Sequence, residues 1–229
     1  MNIESALNRV NDRIYKACKR VGRNENEVRL VAVSKTIPME FIYEAFQGGQ
    51  KVFGENKAQE LRDKASVGNN DIEWHFIGHL QTNKIKYVSP VVKLIHSVDS
   101  FNLAREISDY NSKRDLVSDI LLEVNTGGEI SKFGLNPAEV EEVFLHISET
   151  LSNVKVKGLM CMAPYEEDEK ILRNSFISLR NIKDRLIKYI HGDQKFELSM
   201  GMSHDFELAV EEGSTMVRVG TAIFGGRGR

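Results

Sequence analysis

KVFGENKAQELRDKASVGNNDIEWHFIGH, residues 51–79, holds one complete unit of the fold. It opens on a short apolar run, Lys51–Gly54, continues through a helical stretch at 56–66, and closes on a second apolar run, Glu73–Ile77. Both runs are nearly continuous rather than alternating, the pattern of strands buried on both faces. A run, a helix and a run within about 30 residues form a parallel βαβ unit.

The same rhythm extends in both directions. Further runs lie at Leu30–Ser34, Leu94–Ser97, Ile120–Asn125, Val154–Met160, Phe196–Met200 and Met216–Val219. Helical stretches fall near 39–48, 81–88, 100–110, 137–151, 168–190 and 204–212, and a last short helix begins near Thr221. Ahead of them, Ile3, Leu7, Val10, Ile14, Ala17, Cys18 and Val21 recur at helical spacing and end near Gly22. Strands alternating with helices in this number predict a single (β/α)8 TIM barrel with an additional N-terminal helix, one domain over residues 1–229. A doubly wound open sheet is the alternative.

Bulk properties narrow the function classes. The chain has 229 residues, 41% hydrophobic and 28% charged, with a formal charge of −2. Nothing in that balance points to nucleic acid or to a membrane surface. Lys183, Arg185 and Lys188 share an amphipathic helix and read as a solvated face. Cys18 and Cys161 are far apart and lack CxxC spacing, which suits two reduced thiols in a cytoplasmic protein. The N-terminal segment has no apolar core of a secretory signal, and no uncharged apolar run reaches the length of a membrane span. The helix faces carry no extra apolar stripe, so a monomer is expected.

Barrel enzymes keep their chemistry at the C-terminal ends of the strands. Here those ends read Ser34-Lys35, Gly54-Glu55-Asn56, His75 with Gly78-His79, His96-Ser97, Glu123 with Asn125, Met160–Met162, Ser199–Ser203 and Arg218–Thr221. A lysine at a strand end usually snorkels into water. A half-buried one is more easily freed of its proton, and the neutral amine condenses with carbonyls. Lys35 alone leaves open a class I aldolase or a pyridoxal phosphate protein.

Two late segments discriminate between them. LSMGMSHD, 198–205, follows a strand and opens a helix, with Ser199 and Ser203 flanking Met200 and Gly201. RVGTAIFG, 218–225, repeats the arrangement with Gly220 and Thr221. Singly, such turns are ordinary helix caps. In tandem after the last two strands they form the usual phosphate site of a barrel. Arg218 precedes Gly220 by two residues and is either a structural arginine paired to a carboxylate in the barrel or, on the functional reading, the partner of a pyridine nitrogen. A guanidinium does not hand its proton to the ring, which weakens the ring as an electron sink. The H-x3-H pair at His75 and His79 has no third ligand in register, Cys161 reads as a core residue, and no P-loop or GxGxxG occurs.

These residues carry a resemblance. LVAVSKT (30–36), VFGENKAQE (52–60), WHFIGHLQTNK (74–84), HSVDS (96–100), SKFGL (131–135), GLMCMAP (158–164), LSMGMSHDFELAVEEGST (198–215) and VRVGTAIFG (217–225) resemble the pyridoxal phosphate homeostasis protein family. That family is similar to the N-terminal barrel of alanine racemase. The resemblance implies a Schiff base on Lys35, Arg218 at the ring nitrogen, and Asn56 beside the ring. Ser199, Met200, Gly201, Ser203, Gly220 and Thr221 would bind the phosphate, and His75 and Ile77 would line the mouth. Lys132 matches a rim lysine that handles incoming cofactor. Ile37 departs from the pattern, standing where many members carry a second lysine.

The implied function is holding pyridoxal 5′-phosphate, limiting free aldehyde, and supplying the cofactor to apo-enzymes, rather than dedicated catalysis. The alternative is a small pyridoxal phosphate-dependent enzyme acting on amino acids, racemase-like or a lyase. Racemases take their second base from a tyrosine of a partner's β-domain. The chain ends at Arg229 just past the last barrel element, and Tyr43 and Tyr165 read as helix-face and loop residues.

Overall fold

The computed structural model describes residues 2–127, 133–190, 192 and 195–226. Helix α1 (Ile3–Arg20) is capped by the Asn2 side chain, which accepts the Ser5 N–H at 2.8 Å. One face of α1 buries Ile3, Leu7, Val10, Ile14, Ala17 and Cys18, the apolar stripe read from spacing.

Strand and helix then alternate: β1 (Arg29–Val33), α2 (Met39–Gln47), β2 (Val52–Glu55), α3 (Ala58–Val67), β3 (Glu73–Phe76), α4 (Ile85–Val88) and β4 (Leu94–Val98). They continue as α5 (Phe101–Ser112), β5 (Ser118–Glu123), α6 (Val140–Thr150), β6 (Val154–Met160) and α7 (Glu169–Leu186). The last units are β7 (Glu197–Ser199), α8 (Phe206–Glu211), β8 (Met216–Val219) and α9 (Thr221–Phe224).

The strands close into a parallel barrel in the order β1-β2-β3-β4-β5-β6-β7-β8. Closure is made by β8 pairing with β1, with Val31 opposite Arg218 and Ala32 opposite Val219. The open-sheet alternative is thereby excluded. Among the described residues no helix is long and apolar enough to cross a membrane.

Barrel closure explains why the strand runs looked continuously apolar. Successive side chains point alternately into the barrel and out toward the helices, and both environments are dry. Outward residues such as Ala32, Phe53, Phe76, Ile120, Leu159, Leu198 and Val219 pack with the helices into one large core. Inward ones, Val31, Val52, Leu94, Leu121, Met160 and Met216, form a separate small cluster. The barrel interior is therefore only partly apolar, and polar side chains occupy the rest of it. That division positions the site.

Candidate functional site

Lys35 is half-buried, two residues beyond β1, in the turn that leads to α2. Its neighbours are fixed on both sides. Ser34 is fully buried; its hydroxyl donates to Glu55 Oε1 at 2.6 Å and its carbonyl accepts Lys64 Nζ at 2.7 Å. Thr36 adopts a positive φ of 63° and donates its N–H to Glu60 Oε1 at 2.6 Å. A threonine in that region is strained, so the bond to Glu60 holds a turn the chain alone disfavours. Lys64 Nζ also donates at 2.7 Å to both Glu55 Oε1 and Glu60 Oε1. Burial raises the Glu55 carboxyl above its usual range, against the pull of Lys64 and Ser34. The sequence gives little sign of this clamp, since Glu60 and Lys64 look like an ordinary i,i+4 surface pair.

Arg218 stands on β8, two positions past the inward-facing Met216, and is 5% exposed. Its NH1 donates to the Ser199 carbonyl at 2.8 Å and to Ser199 Oγ at 2.6 Å, and its NH2 donates to the Cys161 carbonyl at 2.9 Å. Of five guanidinium N–H groups, three are thus engaged. Burial lowers Arg218 from its ordinary value, with Cys161, Glu123 and Asp205 pulling it back up. Nearby, burial and Asp99 push the Glu123 carboxyl up to about 7, against Arg218.

The two glycine turns come together beside Arg218. Gly201 O accepts the Arg218 N–H at 3.0 Å, and Ser203 Oγ accepts the Gly220 N–H at 3.3 Å. Gly201 has φ 93°, and a Cβ there would lie 2.5 Å from Ala209 Cβ and 2.9 Å from Phe206 Cα, so only glycine lets the loop sit on α8. At Gly220 a Cβ would meet Val33 Cβ and its carbonyl at 3.2 Å, which keeps the β8 loop against the Lys35 strand. Thr221 is exposed at the start of α9. Among the described residues the N–H groups of Ser203, Thr221 and Ala222 donate to no acceptor, which suits an anion.

Several expectations need adjusting. Ser199 Oγ points into the barrel toward Arg218 and His96, so its hydroxyl serves the arginine. Met200 is fully buried; its N–H donates to Met216 O at 3.1 Å and its carbonyl accepts Ser214 Oγ at 2.8 Å. His75 does not line the mouth. It is 0% exposed inside the barrel, bonded to His96 and Glu73. Ile77 packs over Gly54. His79 stacks on Phe133 at 3.9 Å, well separated in role from His75. Both cysteines are buried and free, and burial pushes Cys161 up to about 11. Lys132 lies outside the described residues.

Asn56, just past β2, is half-buried, and its Oδ1 is a buried acceptor with no hydrogen-bond partner. A buried polar atom left unpaired costs about 1–3 kcal/mol unless a ligand group satisfies it. An amine on Lys35, donors on Arg218, a glycine-lined anion cradle and an unsatisfied amide acceptor at one barrel mouth fit a phosphorylated pyridine aldehyde.

Several known proteins are similar to this chain. Residues 6–228 match the family model described as alanine racemase, N-terminal domain. The chain is 49% identical over 228 residues, covering 99% of both, to a pyridoxal phosphate homeostasis protein of Aquifex aeolicus. A crystal structure of a protein of unknown function from Bifidobacterium adolescentis superposes with a TM-score of 0.90 at 40% identity, covering 97% of this chain and 94% of that one. PipY of Synechococcus elongatus, solved with pyridoxal phosphate bound, superposes with a TM-score of 0.78 at 33% identity, covering 93% of this chain and 100% of that one.

Proposed function

As the chain belongs to the pyridoxal phosphate homeostasis protein family, we propose that it binds pyridoxal 5′-phosphate as a Schiff base on Lys35 and acts in cytoplasmic cofactor homeostasis. The bound group supplies a reactive aldehyde and an electron-withdrawing ring. This chain's residues do the rest. Lys35 provides the amine, and the clamp at Ser34 and Thr36 aims it. Arg218 would donate to the ring nitrogen and leave it unprotonated, because a guanidinium keeps its protons. Gly201, Ser203, Gly220 and Thr221 cradle the phosphate, Met200 and Ser199 set the β7 end beneath it, and Asn56 Oδ1 meets the ring's polar edge.

The observation that carries this reading is the pairing of β1 with β8. With Val31 opposite Arg218, Lys35 follows four residues later, two beyond the end of β1, on the same side of the barrel as the arginine and the cradle. PipY, a relative with bound pyridoxal phosphate in its solved structure, supports the same cofactor here. An arginine rather than an acid at the ring nitrogen would leave the bound group a weak electron sink, which favours holding and release over dedicated turnover. Supply to apo-enzymes by one monomer is the physiological role that follows.

The test is borohydride trapping on purified protein incubated with pyridoxal phosphate. A long-wavelength absorbance band that borohydride abolishes, with the cofactor mass then found on the Lys35 peptide and missing in Lys35→Ala, is the expected result. No such adduct after incubation would overturn the reading. Sustained racemisation or elimination of amino acids by the loaded protein, lost in Lys35→Ala, would replace it with the small-enzyme alternative.

A further inference from the structure

Inside the barrel, below Arg218, an unbroken line of polar side chains runs to the opposite end. Ser199 Oγ lies 2.9 Å from His96 Nδ1, His96 Nε2 lies 2.8 Å from His75 Nδ1, and His75 Nε2 lies 2.9 Å from Glu73 Oε1. Ser199, His75 and His96 are each 0% exposed. The Glu73 side chain is 31% exposed, so the line reaches water only at its far end. There Glu73 Oε1 also accepts Arg29 NH1 at 2.9 Å.

The protons on this line can be assigned from donor inventory alone. Arg218 only donates, so Ser199 Oγ accepts from it and its own hydrogen is free for His96 Nδ1. His96 Nδ1 is then bare, and its proton sits on Nε2, directed at His75 Nδ1. His75 in turn carries its proton on Nε2, directed at the Glu73 carboxylate. The reverse order would set a bare His75 Nε2 against a carboxylate oxygen at 2.9 Å, lone pair to lone pair. Charging the imidazoles is opposed by burial, which lowers both, His96 well below the usual range with His75, Arg218 and Arg29 adding to the effect. At His75 the bond to Glu73 and the charge of Glu197 oppose that burial, while Arg29 reinforces it. Glu73 is lowered, first by its bond to His75, then by Arg29 and Lys93.

We propose that Ser199, His96, His75 and Glu73 form a one-way hydrogen-bond relay whose function is to position the Arg218 guanidinium for the cofactor's ring nitrogen. The relay rests on the cofactor reading for its purpose, not for its existence. Hydrogen bonds aligned in one sense strengthen one another, so a carboxylate at the far end makes Ser199 Oγ a better acceptor for Arg218. Three neutral side chains, Ser199, His96 and His75, separate the arginine from its counter-charge on Glu73, so no second ion is buried beside it. These are positioning residues; among them only Ser199 touches Arg218.

The first test needs no cofactor. In cofactor-free protein labelled with 15N-histidine, His75 and His96, assigned by their loss in His75→Gln and His96→Gln, are expected as neutral Nε2–H tautomers from about pH 6 to 8. In Glu73→Gln the terminal amide can accept or donate, so both signals should shift toward a mixture of tautomers. A merely structural pair would keep its tautomers in that variant. An imidazolium or an Nδ1–H tautomer at either position in the wild type overturns the relay.

The second test measures cofactor release on dilution. Ser199→Ala, a small change that keeps the fold, should release pyridoxal phosphate about tenfold faster while Lys35 still traps it with borohydride. Release at the wild-type rate would overturn the positioning role even with the tautomers as expected. If the wild type takes up no pyridoxal phosphate, the cofactor reading and the assignment to the ring nitrogen fail together, and the tautomers still report on the relay itself.

Discussion

Lys35 and Arg218 leave neighbouring strands at the same mouth, yet they are held from opposite sides of the sheet. The Lys35 turn is gripped from outside, in the layer between strands and helices, by the charged set Lys64, Glu55 and Glu60. Arg218 is gripped from within, by Ser199, His96 and His75, all neutral, with a carboxylate only at the far end. The difference follows from access to water. In the outer layer the Lys64 and Glu60 side chains keep 10% and 21% exposure, and an ion pair there stays partly solvated. Inside the barrel Ser199, His75 and His96 have no exposure, so the nearly buried arginine is served by neutral acceptors and its anion is placed at the solvent edge. A strained Thr36 needs force; a planar guanidinium needs direction.

Removing the cation of the outer clamp is expected to have the largest effect. Lys64→Met strands the fully buried Glu55 carboxylate and frees the Ser34 carbonyl and Glu60, at a cost of about 3–5 kcal/mol in urea unfolding. The double variant Lys64→Met with Glu55→Leu should recover most of that loss, because no charge is left stranded. If the single variant costs under about 1 kcal/mol, the clamp is ornamental and the contrast with the interior collapses.

Glu123 tests the interior side. Its carboxyl titrates at about 7 in the fold, raised by burial and by Asp99, against an ordinary value of 4.5. The folded state therefore holds the proton more tightly than the unfolded one. Its contribution to stability is complete below about pH 4.5, declines as pH rises, and is gone above about 7, a change on the order of 3 kcal/mol. Glu123→Gln should flatten that part of the stability–pH curve. A wild-type curve without the decline would mean that a charge sits comfortably inside the barrel, against the logic of the relay. Next in size is Gly201→Ala, where a Cβ 2.5 Å from Ala209 Cβ and a φ of 93° should together cost about 2 kcal/mol in unfolding and loosen phosphate binding.

The contrast also explains what could be read in advance. The strands fall within a residue or two of the apolar runs, because a barrel strand is dry on both faces and hydropathy marks it whole. That same dryness hides depth. Lys35, Gly201, Gly220 and His75 all share the inward parity, but only barrel register separates the mouth from the middle. So the resemblance puts His75 at the mouth, whereas it lies within the barrel, and puts Ser199 on a phosphate, whereas its hydroxyl faces Arg218. Lys64 is illegible for the opposite reason: a lysine on a helix reads as surface, and nothing local says that its tip reaches Ser34, 30 residues away.

The smallest effect is expected where the relay meets water. Arg29 is 44% exposed and donates to Glu73 at 2.9 Å and to Glu197 at 3.4 Å. Such a pair is screened by solvent and salt, so Arg29→Ala should cost under about 1 kcal/mol at low ionic strength. At 0.5 M salt, an ionic strength at which the screening length shrinks to roughly 4–5 Å, the wild type and the variant should nearly coincide. The Lys64→Met penalty should barely move over the same range, since buried charges are screened far less. The two salt series, measured side by side by urea unfolding, thus read the outer clamp and the outer end of the relay on one scale. A salt-insensitive Arg29 effect of several kcal/mol would place the relay's anion in a dry environment, and the division between a charged exterior grip and a neutral interior one would have to be redrawn at Glu73.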